Sequence, residues 1–363
     1  MNSKKKILVA PLDWGLGHAS RCIPIIHELI AQRCEVLIAA DRGPLALLKT
    51  EFPQLEFIQL PGYEISYPKR GSMALHLLWQ LPKLLSGIKR EHKELQKIIQ
   101  QKRIDTVISD NRYGLWSKSV PSVFVTHQLM IQAPVGKKIL HRLNSNYINN
   151  YTECWIPDAN TSANLSGELS QTKRLGEKIH FIGPLSRFIK TKEVPEKAYD
   201  ILAVLSGPEP QRSLLETILV KELSTSNLRC AIIQGLPQKK ERKKISENVE
   251  LFSYLNSSEL NQYILASELI ISRPGYSTIM DLATLGKKAI FIPTPGQTEQ
   301  EYLAKKFDQE KIAPAFSQNK FRLEAALLKV KEYRGFPALV KDNSTLKKRV
   351  EYLLENLIKP SSG

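Results

Sequence analysis

A histidine can take a proton, and one stands at an unusual place in this chain. The stretch PLDWGLGHASR (residues 11–21) sets His18 directly after Gly17 and three residues before Arg21. It follows the apolar run ILVA (7–10) and leads into CIPIIHELIA (22–31), whose apolar spacing is helical. Gly15 and Gly17 permit positive φ and close backbone approach. A helix starting here turns its free N–H groups and positive dipole end to the strand end, which suits an anion. A neutral imidazole there can act as a general base. Arg21 can hold a phosphate or a carboxylate, and Asp13 can orient His18 or close the turn. A helix cap or a hydrogen-bonded core histidine would also account for His18 taken singly.

A second concentration lies in IISRPGYSTIMDLATLGKKAIFIPTPGQTEQEYLAKKF (270–307). It reads as strand, Pro-Gly turn, helix, glycine stop at Gly286, strand, Pro/Gly loop and helix. Ser277 and Thr278 fall in the first turn of the first helix, where hydroxyls and amides can bind phosphate oxygens. Asp281, one turn on, can accept two ribose hydroxyls. TEQE (298–301) opens the next helix with side chains suited to sugar hydroxyls. Caps and a solvated first turn would explain each of these alone; their gathering at one sheet edge is harder to explain so.

The elements needed to position them alternate along the chain. Strands are expected at 6–10, 34–40, 55–60, 105–110, 122–127 and 153–158, and again at 199–206, 229–235, 249–254, 269–272 and 288–294. Helices are expected at 20–32, 43–51, 73–102, 211–223, 258–266, 277–285 and 299–310. Strands apolar throughout, separated by helices, imply parallel sheets covered on both faces. Two doubly wound α/β halves follow, joined near GPLSRFIKTKEVPEKAYD (183–200). We expect domains at 1–185 and 186–340. A C-terminal helix within 341–363, capped by Asn343, Ser344 or Thr345, would pack back on the first domain, with a frayed KPSSG end. Ligands in such sheets sit beyond the carboxyl ends of the strands, which is where both motifs fall.

With 363 residues, the chain is long enough for two cores. No apolar run approaches the roughly 18 residues of a membrane span, and no signal peptide is read, so a cytoplasmic protein is expected. The 4 cysteines lie far apart, without CxxC or clustered His, which argues against a disulfide framework or a zinc site. A net charge of +16, spread over both halves, favours an anionic partner such as a nucleotide phosphate or anionic lipid. No nucleic-acid motif accompanies it. The segment 69–103 is basic, with Leu75, Leu78, Trp79, Leu81, Leu84 and Leu85. It reads as a helix packed on the sheet, or as a surface that meets the inner face of a membrane and a lipid-linked acceptor.

Ser272, Arg273, Gly275, Thr278, Asp281, Gly286, Pro293 and Gln300 together resemble the donor-binding signature of GT-B nucleotide-sugar glycosyltransferases. The nearest family is the one (family 28-like) containing the peptidoglycan N-acetylglucosaminyltransferase that forms lipid II. Gly15, Gly17 and His18 resemble its Gly-rich turn ending in Gly-His. The resemblance implies a GT-B fold: two Rossmann-like doubly wound domains facing across a cleft. It implies that Asp281 binds the ribose, with Arg273, Gly275, Ser277 and Thr278 near the pyrophosphate and Glu299 and Gln300 on the donor sugar. A second phosphate contact would come from Ser206 and Gly207 in SGPEP, and backbone near Phe252 to Tyr254 would flank the base. The implied donor is a nucleotide-sugar, UDP-sugar by family inference, and no cofactor is implied.

The Gly-His-x-x-Arg turn departs from the lipid II enzyme. It is similar to the turn of uncharacterised GT-B proteins and of the UDP-sugar hydrolase of pseudaminic acid biosynthesis, which uses water as acceptor. No Asp-x-Asp occurs, so no metal is expected on the pyrophosphate; helix N-termini and Arg273 would stabilise the leaving group. Displacement would invert the anomeric carbon, with His18 as first choice of base and Asp110 as second. His127 and Gln128 would contact the acceptor hydroxyl, beside Gly15, Gly17 and Arg21. A nucleotide-sugar hydrolase and a non-catalytic nucleotide-sugar binder are the alternatives.

Overall fold

The computed structural model describes residues 4–63, 80–132, 136–161, 164–172, 174–191, 198–339 and 344–358. Two sheets divide the chain. The first runs β3-β2-β1-β4-β5-β6-β7, built from β1 (Lys6–Pro11), β2 (Glu35–Ala40), β3 (Glu56–Gln59), β4 (Thr106–Asp110), β5 (Ser122–Val125), β6 (Glu153–Ile156) and β7 (Ile179–Phe181). The second runs β10-β11-β9-β8-β12-β13, from β8 (Tyr199–Val204), β9 (Cys230–Ile233), β10 (Arg242–Ser246), β11 (Val249–Phe252), β12 (Ser267–Ser272) and β13 (Lys288–Phe291). Every pairing is parallel except that of β10 with β11. The central strands are buried because their sequences are apolar on both faces: Ile7 to Ala10, Val107 to Ile108 and Ile270 to Ile271 are nearly inaccessible.

In each sheet the strand order reverses beside the first strand of its half. Those two places are β1/β4 and β8/β12, with Pro11 opposite Asp110 and Val204 opposite Ser272. A crevice opens at such a switch point because the two flanking helices leave on opposite faces of the sheet. The turn with His18 lies beyond β1, and Asp110 is the last residue of β4. The loops with Gly207 and Arg273 lie beyond β8 and β12.

Most helices fall where their periodicity put them, including Leu16–Ala31, Gln211–Ser224, Ser257–Leu265, Tyr276–Leu285 and Thr298–Gln309. Ser257–Leu265 starts with a capping box in which Asn256 and Glu259 exchange hydrogen bonds. Other elements carried no such signal. Lys137–Ile148 starts at left-handed Gly136 without a side-chain cap and leaves Ile139 and Leu143 exposed. The helix Leu323–Val330 and strand β7 are short. β10 is the exposed edge sequence RKKIS, with no alternation to read. Of the expected helix 73–102, Leu81–Lys102 is observed; residues 64–79 lie outside the described residues, as does Asn343.

The two halves are closed on each other. Leu16–Ala31 and Tyr276–Leu285 share one apolar cluster, to which Ala19 and Ile23 belong with Tyr276, Ile279 and Met280. The terminal helix Ser344–Tyr352 lies on the first half, where Arg349 Nε reaches Glu153 Oε2 at 2.9 Å and Lys347 O accepts from Gln32. No helix among the described residues is long and apolar enough to cross a membrane.

Candidate active site

The helix Leu16–Ala31 begins at Gly15 with φ 115°, a conformation that L side chains rarely adopt. His18, Arg21 and Cys22 are therefore spaced i, i+3, i+4, and all three face one carboxylate at the end of the neighbouring strand. His18 Nδ1 lies 2.6 Å from Asp110 Oδ1. Arg21 Nη2 donates to the same oxygen at 2.5 Å, and its Nε to Oδ2. Cys22 Sγ lies 3.8 Å from Oδ2. Asp110 is wholly inaccessible. Burial opposes its ionisation, but Arg21 and His18 override that and hold the carboxyl below its ordinary range. His18 Nδ1 also lies 2.9 Å from Arg21 Nη2, but the shorter contact is to the carboxylate, which only accepts, so Nδ1 carries the proton and Nε2 keeps its lone pair. Nε2 has no partner among the described residues, and the side chain is 18% exposed.

The network continues across the domain boundary. Arg21 Nη1 lies 3.0 Å from His127 Nδ1, so that nitrogen accepts. His127 Nε2 then donates to Glu299 Oε1 at 2.7 Å, at the start of Thr298–Gln309. Burial pushes His127 below the ordinary histidine value; Glu299 opposes this and Arg21 assists it. Its ring stacks on Tyr276, 3.9 Å between centroids and 6° between planes. Tyr276 OH donates to Pro157 O at 3.0 Å, and Ser277 Oγ to Gly17 O at 2.7 Å. A Cβ on Gly17 would stand 3.2 Å from Ser277 Oγ, so the glycine allows this approach.

On the second half, Arg273 is fully buried. Nη1 donates to Ile292 O and Pro293 O, and Nη2 to Gln211 O and Gln318 Oε1. All four η hydrogens thus brace the loops around β12, and no carboxylate is among the acceptors. Burial alone lowers its pKa to about 10. Nε is left without a partner among the described residues, as are Ser272 Oγ and Thr294 Oγ1. Gly207, at φ 101°, comes within 4.0 Å of Thr294 Oγ1 at its notional Cβ. A buried unpaired cation beside orphaned hydroxyls and a permissive glycine loop fits an anion.

The remaining expected residues distribute as follows. Asp281 Oδ1 accepts from Ser186 Oγ at 2.6 Å, in the segment joining the halves. Gln300 Oε1 accepts from Thr294 N at 2.8 Å and fixes the Pro-Gly loop. Gly275 and Thr278 open the Tyr276–Leu285 helix, and Ser206 lies in the loop after β8. Gln128 leaves its backbone carbonyl to Asn144 Nδ2. Tyr254 OH is buried without a partner among the described residues. Asp13 does not bond His18; its carboxyl sits against Gly62, and burial raises its pKa. Arg21, read as a ligand contact, is instead 2% exposed and committed to Asp110.

Sequence reasoning passed over Tyr276 and Arg187. Tyr276 lies inside SRPGYST, but nothing marked it as the ring under His127. Arg187 falls within the linker segment 183–200; its Nη1 donates to Ser257 Oγ at 3.2 Å and its Nε has no partner among the described residues. No group of three or more His, Cys, Asp or Glu among the described residues is placed to hold a metal ion.

Residues 204–355 match the glycosyltransferase family 28 C-terminal domain. An uncharacterized glycosyltransferase of Methanosarcina mazei is 24% identical over 326 residues, 84% of each chain. A UDP-N-acetylglucosamine--N-acetylmuramyl-(pentapeptide) pyrophosphoryl-undecaprenol N-acetylglucosamine transferase of Rickettsia bellii is 36% identical over 117 residues, 31% of this chain and 32% of its own. Among solved structures, the spinosyn rhamnosyltransferase SpnG complexed with thymidine diphosphate superposes with a TM-score of 0.60 at 13% identity, covering 95% of this chain and 100% of that one.

Proposed function

We propose that this chain, which matches the family 28 C-terminal domain over residues 204–355 and shares the fold of solved glycosyltransferases, carries out an inverting, metal-independent transfer of a sugar from a nucleoside-diphosphate donor, UDP-sugar first, to an acceptor hydroxyl. The observation that carries the reading is the His18–Asp110 pair at the β1/β4 switch point, 2.6 Å apart. His18 Nε2 takes the acceptor proton as the oxygen attacks the anomeric carbon. The bond from that carbon to the diphosphate oxygen breaks, and the electron pair leaves with the diphosphate. Attack from the face opposite the leaving group inverts the centre. Asp110 stabilises the imidazolium and fixes the tautomer that makes Nε2 the base. On the donor side, Gly275, Ser277 and Thr278 at a helix N-terminus and the buried charge of Arg273 meet the diphosphate. Asp281 takes the ribose, Glu299 and Gln300 the sugar, Ser206 and Gly207 a phosphate oxygen, and Tyr254 the base. His127 and Gln128 line the acceptor side.

The thymidine diphosphate complex of a neighbour supports a nucleoside diphosphate without selecting uracil. A lipid-linked acceptor at the inner face of the membrane is the second reading. The Rickettsia relative is named for one, and Leu81 and Leu85 are exposed beside Lys83, Lys89 and Arg90 on the acceptor half.

The test is a panel of UDP-, GDP- and dTDP-sugars, screened by thermal shift and then assayed with and without hydroxyl acceptors. Acceptor-dependent glycoside of inverted configuration is expected. Free sugar released equally without acceptor would make the chain a hydrolase. Binding without turnover of any kind would make it a nucleotide-sugar binder.

A further inference from the structure

Arg21 has no task in that chemistry. It is 2% exposed, and every nitrogen of its fork is already engaged within the protein, which leaves none for a substrate. We propose that Arg21 is a positioning residue. Its guanidinium holds Asp110 ready to orient the His18 base and, through His127, ties that carboxylate to Glu299 of the donor half. This rests on His18 being the base.

Geometry supports the role first. Nε and Nη2 take both oxygens of Asp110, so the carboxylate plane is fixed. Nη2 also lies 2.9 Å from His18 Nδ1, so imidazole and guanidinium converge on one oxygen. Nη1 bonds His127 Nδ1, which leaves Nε2–H of that ring for Glu299. One rigid fork therefore sets the His127 tautomer directly and the His18 tautomer through Asp110, and it links the two halves. A lysine, with a single point of charge, cannot satisfy three acceptors in these directions.

Electrostatics supports it second. Asp110 is fully buried, and burial by itself favours the neutral acid. A protonated Asp110 no longer offers a carboxylate to Nδ1–H, and His18 is free to take the other tautomer. The groups facing Asp110 are His18, Arg21 and Cys22 from the Leu16–Ala31 helix, with His127 from the loop after β5 and Glu299 from the donor half beyond Arg21. The Cys22 thiol is pushed far up, chiefly by burial, and stays neutral. Arg21 is thus the single group of fixed positive charge in that set. Its presence also neutralises Asp110, so the pair orients His18 without placing net negative charge beside it.

The test uses the full chain with Arg21→Met and Arg21→Lys. Nitrogen-15 spectra of the histidine rings read the tautomers without any ligand, with His18→Gln and His127→Gln to assign the signals. Wild type is expected to show Nδ1–H at His18 and Nε2–H at His127. Arg21→Met is expected to lose both and to cut turnover about 10²–10⁴-fold near neutral pH. Part of that loss should return as pH rises, because Asp110 must now ionise without the guanidinium. If Arg21→Met fails to fold, Arg21→Lys keeps the charge and is expected to lose the His127 tautomer. Guanidinium ion at non-denaturing concentration is expected to restore turnover to Arg21→Ala. Unchanged tautomers and turnover in folded Arg21→Met would overturn the proposal, as would full activity of Arg21→Lys. An active His18→Ala would instead overturn the base assignment on which it rests.

Discussion

Asp110→Asn changes one atom in the buried network, and its consequences can be worked out. The carboxylate accepts three charge-assisted hydrogen bonds, one from His18 and two from Arg21. Asparagine has the same shape but offers one oxygen and one NH₂. With the oxygen toward His18, the NH₂ meets the Nε–H of Arg21, donor against donor. Turned over, it faces His18 Nδ1, which must then accept, and the proton moves to Nε2. In both arrangements the Arg21 charge is buried without a counter-ion. At an effective dielectric of about 20, opposite charges about 4 Å apart are worth about 4 kcal/mol, the size usually lost when a buried pair is broken. In a domain of this size each kcal/mol moves the melting temperature by about 2–4 °C, so a fall of roughly 10 °C is expected. Turnover should fall further, by about 10³–10⁴-fold, because the base is lost as well as the charge. The assay is initial rate at saturating donor, with uridine diphosphate binding by calorimetry and melting followed in parallel. Binding should stay within about threefold, a difference of less than 1 kcal/mol. A folded Asp110→Asn protein retaining turnover within about tenfold of wild type would refute the dyad, since a tautomer switch cannot cost so little.

Two further variants probe the same network and its donor side. His127 has a folded pKa below its unfolded value of 6.5, so the unfolded chain binds the proton first. Stability is then fully present above 6.5 and is lost as pH falls through the folded value. His180 adds a shift in the same direction. His127→Gln, which can still accept from Arg21 and donate to Glu299, is expected to lessen the fall of melting temperature as pH drops below 6.5, while wild type falls more steeply; parallel curves would contradict the buried neutral histidine. Arg273→Met removes the unpaired charge and frees four acceptors on the loops around β12. It is expected to lower the melting temperature and to weaken uridine diphosphate binding about tenfold or more, which calorimetry reads directly; unchanged affinity would leave Arg273 a brace alone.

The sequence announced the architecture because the strands are apolar on both faces and the helices carry periodic stripes. The strand ends that carry His18, Asp110, Gly207 and Arg273 were legible too; that strand order reverses at these places follows from the sheet pairing. The side-chain roles within them were less accessible. Histidine and arginine three apart on a helix face the same way, so their shared partner was predictable in kind. That it is Asp110, 92 residues on in sequence, depends on β4 lying beside β1, which no local pattern states. Arg273 kept its position in the donor half but showed a bracing function, because its acceptors come from the loop at Ile292 and Pro293, the start of Gln211–Ser224 and the Gln318 side chain. Glu299, expected on the donor sugar, also meets His127; that contact exists only once the two halves close. β10 and Lys137–Ile148 were missed because a polar edge strand and an uncapped helix have no periodic signature.

The central claim is that His18 Nε2 removes the acceptor proton. The most direct measurement is turnover of the nucleotide-sugar selected by the donor panel, in wild type and in His18→Ala, with uridine diphosphate affinity measured on both. The account predicts a loss of at least about 10²-fold in turnover with affinity unchanged, because the donor contacts lie on the other half of the chain. Turnover retained in His18→Ala, or affinity lost in step with it, would contradict the account.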